Sequence, residues 1–127
     1  MKNLEAMFKI GLVIDKVLFK KYKKDSLGKN IQELWLNKRW IAHRISPIPI
    51  HPGLRDDLTT FIPAVLTGGA EYDGNPVSTE MSYFLLPWRL RNYGGHNIEA
   101  QTVLVRHYEE IMKYLMSALF IAVETCL

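Results

Sequence analysis

Apolar residues return every three or four positions along much of this chain, and the segments that keep that period predict its helices. In the first, Leu4, Met7, Phe8, Leu12, Ile14, Leu18, Phe19 and Tyr22 share helical spacing and predict a helix over roughly Leu4 to Lys24. The lysines of "KKYKKDSLGKN" complement its negative end, and Gly28 offers a stop. A second helix fits Ile31 to Ile45 with Asn30 as N-cap, turning Leu34, Trp35, Ile41 and Ala42 inward. Pro47, Pro49 and Pro52 in "SPIPIHPG" then forbid helix and favour an extended crossover. A third helix is expected over Leu54 to Leu66, disturbed at Pro63 and closed by Gly68 and Gly69. "EYDGNP" reads as a turn. A fourth helix starts at Ser78 or Thr79, bends near Pro87 and runs to about Tyr93. The last is capped by Asn97, and Val103, Leu104, Tyr108, Ile111, Met112, Leu115, Leu119 and Val123 follow at helical intervals. Strand alternation is scarcely present, so the pattern predicts one all-α domain over residues 1–127, a bundle of five to six helices.

The closing stretch "LMSALFIAV" is apolar on nearly every side. Such a helix is either central to a bundle or buried against a second copy of itself, which predicts a homodimer.

At 127 residues the chain has room for one hydrophobic core. Its single cysteine, Cys126, excludes an internal disulfide and a cysteine-based zinc site, and suits a reducing compartment. Lys9, Asp15 and Lys16 interrupt the first apolar stretch, so it does not read as a signal peptide. The run from Ala118 to Val123 is too short to span a bilayer. These points predict a cytoplasmic protein without a membrane segment. The net charge of +3 conceals an asymmetry: eleven basic against four acidic residues up to Arg44, then five against nine. Lys20, Lys21, Lys23 and Lys24 are the densest basic cluster, either a track for a polyanion such as RNA or a solvated helix end.

The chemistry concentrates in "LRNYGGHNI", Leu90 to Ile98. In one unbroken helix Arg91 and His96, five positions apart, diverge by about 140°. A break at Gly94 and Gly95 lets both turn to one place and brings the N-terminus of the final helix beside them. Arginine binds phosphate through a planar fork, and histidine exchanges a proton near neutral pH. Cleavage of a phosphodiester by an internal 2′-hydroxyl needs these groups.

Arg91, Asn92 and His96, an Arg-X4-His pattern on a helical domain, resemble the HEPN superfamily (higher eukaryotes and prokaryotes nucleotide-binding). The resemblance implies a dimeric helical bundle that cuts RNA without a metal or other cofactor, two copies of the motif forming one composite site. It implies that Arg91 holds the scissile phosphate, that His96 is the general acid or base, and that Asn92 orients one of them. Lys20, Lys21, Lys23, Lys24 and Arg89 are then the expected contacts to the rest of the RNA. Toxin-type members carry tyrosine two residues after the histidine, where this chain has Ile98. Two other readings fit the same residues: a non-catalytic module binding nucleic acid or nucleotide, and a structural or regulatory dimer such as a toxin–antitoxin component, its partner encoded nearby.

The remaining polar residues have plainer explanations. His107 and Glu110 at i, i+3 read as a surface pair rather than metal ligands, and Asp56 and Asp57 as acids at a helix start. His43 reads as packed or interfacial, and His51 as a residue among prolines, a place near the site being its lesser reading. Trp35, Trp40 and Trp88 read as core or interface anchors.

Overall fold

Where each helix starts and stops is decided by a few backbone groups, and these move several boundaries away from the periodic pattern. The structure, a computed structural model, describes residues 4–45, 48, 57–91 and 98–127, the side chains of 98–100 excepted. These residues contain six helices: α1 (Leu4–Tyr22), α2 (Leu27–Asn37), α3 (Leu58–Leu66), α4 (Thr79–Arg91), α5 (Ile98–Arg106) and α6 (Tyr108–Cys126). The fold is all-α apart from a two-stranded ribbon, β1 (Glu71–Tyr72) and β2 (Asn75–Pro76).

α1 ends because Lys23 turns left-handed, at φ 57°, and returns its N–H to the Phe19 carbonyl. Gly28, expected as the stop, instead lies in the first turn of α2. Ser26, not Asn30, is the N-cap: its side chain accepts from the Lys29 N–H. Asn30 is buried, and its side-chain Oδ1 accepts from the Lys24 N–H at 2.9 Å, fixing the turn between the two helices.

α2 also stops eight residues before Ile45. The Trp40 N–H reaches the Trp35 carbonyl and the Arg39 N–H reaches that of Leu36, with Arg39 left-handed at φ 61°. This is a Schellman ending with arginine where glycine is usual, and it leaves Ile41 and Ala42 outside the helix. α3 ends the same way on Gly68, with Gly69 donating to the Ala64 carbonyl. Asp57 caps its start by accepting from the Thr59 N–H. "EYDGNP" is more than a turn. Asp73 and Gly74 both have positive φ, the type I′ geometry that matches the twist of a hairpin, and Tyr72 pairs with Asn75. The expected final helix is two, parted at His107.

α1, α4 and α6 pack on one another, α2 rests on α1 and α4, and α3 rests on α4 and α5. Met7, Ile14 and Leu18 of α1 meet Ile111, Leu115, Ala118 and Ala122 of α6 in the core, with Trp35, Phe61 and Phe84 fully buried. Burying each large apolar side chain contributes about 1.5–3 kcal/mol, so this stripe outweighs any capping bond. The ribbon is tied in by polar contacts: the Tyr72 hydroxyl and the Ile45 N–H both donate to the buried Gln32 carbonyl oxygen, and Trp35 meets the Tyr72 ring edge-on.

Ala42, expected to face inward, is exposed, as is Val123, and so are two residues placed at helical spacing on α1, Leu12 and Phe19. Both lie past Ile14 and Leu18 on the flank of α1 that faces Arg91, not in the core stripe. Along α6 and at its C-cap, Met116, Phe120, Val123 and Leu127 are exposed at spacings of four, three and four.

Candidate functional site

Arg91 is the last residue of α4 and lies beside α1, where its Nε donates to Asp15 Oδ2 at 3.1 Å. The guanidinium is 52% exposed and the carboxylate 23%. The pair stands on one wall of a cleft of about 580 Å³. α1 contributes Asp15 and Phe19 to that cleft, the α1–α2 turn Lys24 to Ser26, the first turn of α2 Leu27 to Asn30, and α4 Trp88 and Arg91; Ile48 closes it.

Each basic group in the cleft already has a carboxylate partner. Lys29 lies 2.9 Å from Asp25, and Lys24 lies 3.6 Å from Glu33, which also holds Arg44 at 2.9 Å. Lys29 holds the Asp25 carboxyl below the usual carboxylate range, chiefly through their hydrogen bond. Lys29 and Asp25 form an exposed pair that an incoming phosphate can readily replace, whereas Glu33 and Asp15 are mostly covered and hold their partners more firmly. The apolar part of the wall is Phe19, Trp88 and Ile48. Gly28 lets Trp88 approach closely there: a Cβ would stand 3.2 Å from the indole nitrogen.

Of the residues predicted from sequence, Arg91 and Lys24 come together in this cleft. Lys20, Lys21 and Lys23 are exposed around the end of α1. Arg89 points elsewhere: its guanidinium carbon lies 6.0 Å over the Phe61 ring, and it does not line the cleft. Asn92 and His96, with Gly94, Gly95, Asn97 and His51, lie outside the described residues. His43 is not packed. It is exposed, with Nε2 3.8 Å from Asp73 Oδ2. Burial pushes the Cys126 thiol up, away from thiolate character. Among the described residues no group of three His, Cys, Asp or Glu side chains is placed to hold a metal ion. No helix of the described residues is long and apolar enough to cross a membrane.

Sequence reasoning missed Asp15, Phe19, Lys29 and Trp88. One signal was present: Asp15 and Phe19 are four apart, so a helix puts the phenyl ring with a carboxylate. Neither Trp88 nor Lys29 carries any local sign that they meet. Comparison with protein-family models, with curated proteins and with solved structures finds no match.

Proposed function

We propose that this chain is a metal-independent endoribonuclease, acting as a dimer with Arg91 and His96 as its reacting pair. The observation that carries the reading is Arg91 itself, on the wall of a cleft that also presents Lys24 and Lys29. In this reading Arg91 exchanges Asp15 for the scissile phosphate and stabilises the charge that builds on it during attack. His96 takes the proton from the 2′-hydroxyl or delivers one to the leaving oxygen, and Asn92 orients one of the two. The exposed apolar residues of α6 are the surface on which two copies meet.

A non-catalytic RNA-binding module is the second reading, favoured by a basic cleft whose described residues do not depend on His96. Labelled RNA incubated with the protein and EDTA separates the two. The ribonuclease reading expects cleavage to a cyclic phosphate or the derived monoester, and inert DNA. It expects His96→Ala to lose about 10²–10⁴-fold in rate while binding RNA like the parent. Binding without cleavage by the parent selects the module, and His96→Ala cutting as fast as the parent refutes the catalytic assignment.

A further inference from the structure

The cleft beside Arg91 combines two chemistries that a phosphate site alone does not need. Its rim carries Lys24, Lys29 and Arg91, and its wall carries Phe19 and Trp88. Phe19 is 53% exposed although it belongs to a helix with a complete apolar stripe of its own. A phenyl ring left in water at the mouth of a basic cleft offers a flat apolar face beside the cations. Single-stranded nucleic acid uses that pairing, its bases stacking on aromatic side chains while cations track the backbone. An acidic peptide would satisfy the cations and leave the aromatic wall idle, and inorganic phosphate would do the same.

We propose that this cleft is a nucleotide subsite, which holds one base of a single-stranded RNA against Phe19 and Trp88 and its phosphate against Lys24 and Lys29. The assignment rests on the reading of Arg91 as the residue that meets the RNA backbone. It adds that the nucleotide next to that phosphate is held by its base, and that the cleft filters the bases that fit. Asp15, Asp25 and Glu33 stay behind as the carboxylates displaced from Arg91, Lys29 and Lys24, and no covalent bond is made or broken in the subsite.

The test is equilibrium binding of a short labelled single-stranded RNA to the full chain carrying His96→Ala, in EDTA. Phe19→Ala removes the stack and should weaken binding roughly 5- to 150-fold. Phe19→Tyr keeps the ring and should restore it. Lys24→Gln with Lys29→Gln should reduce the slope of log affinity against log salt by about 1.4, two phosphate contacts at the single-strand value. A nucleoside monophosphate should compete better than either the nucleoside or inorganic phosphate. Unchanged affinity in Phe19→Ala, or inorganic phosphate competing as well as the nucleotide, would overturn the subsite while leaving the ribonuclease reading standing. A parent chain that neither binds nor cuts RNA would remove both. Should an acidic peptide displace RNA and lose affinity in Phe19→Ala, the cleft is a protein-docking site instead.

Discussion

Gly11 sits in the middle of α1, buried by its neighbours, yet a Cβ built on it meets nothing within 4 Å. It forms the floor of a recess of about 240 Å³ bounded by Phe8, Leu12, Leu90 and Arg91. Replacing it with alanine therefore gains the helix propensity difference, about 0.8–1.0 kcal/mol, without a compensating clash. The methyl group gains little packing, because nothing lies close enough to touch it. For 127 residues an unfolding entropy of about 2.1 cal/mol/K per residue converts 1 kcal/mol into about 4 °C of Tm. Gly28→Ala is the contrast. It too replaces a helical glycine, but its methyl group stands 3.2 Å from the Trp88 nitrogen and 3.7 Å from Ile48, so no rise is expected. Calorimetry and urea unfolding of both variants measure the difference. If Gly11→Ala lowers Tm, the recess is not open space but a seat for something else, and the argument from its geometry is wrong.

Arg39→Gly should stabilise by about 0.5–1 kcal/mol in urea titration, because glycine takes the left-handed position at the end of α2 without the Cβ penalty. Asp57 accepts from Thr59 and Thr60, and the Thr59 side chain above all holds its carboxyl below the ordinary aspartate value of 3.8. Its folded pKa is depressed, so its contribution is complete above pH 3.8 and disappears as pH falls through the lower folded value. Asp57→Asn should flatten the stability profile in that acid window, and an unchanged slope would refute the cap's role. Sedimentation should find the parent dimeric at micromolar concentration and Phe120→Glu monomeric with unchanged circular dichroism, Phe120 being 68% exposed on α6; a monomeric parent defeats the dimer.

The bundle was legible because its core stripes keep strict helical spacing, as Met7, Ile14 and Leu18 do. Boundaries were legible where the usual residue performs the usual task, as with Gly68 after α3. They were hidden where another residue takes that task. Arg39 ends α2 in a conformation that sequence assigns to glycine, so the apolar pattern ran on to Ile45 unopposed. The break at His107 has no glycine or proline to announce it. As for the candidate site, Arg91 was found from its neighbours in sequence. The cleft was not, because Asp15, Lys29 and Trp88 become neighbours only once α1, α2 and α4 pack.

The packing of α1 on α6 sets a schedule for synthesis. The last turns of the two helices meet, with Tyr22 beside Cys126 about a hundred residues later. At 5–20 residues per second a ribosome needs roughly 5–20 s to deliver α6 after α1 has emerged. Through that interval Met7, Ile14 and Leu18 lack the surface that covers them in the finished bundle. Lys9, Lys16, Lys20 and Lys21, spread along the same helix, put positive charge beside those residues through the same interval.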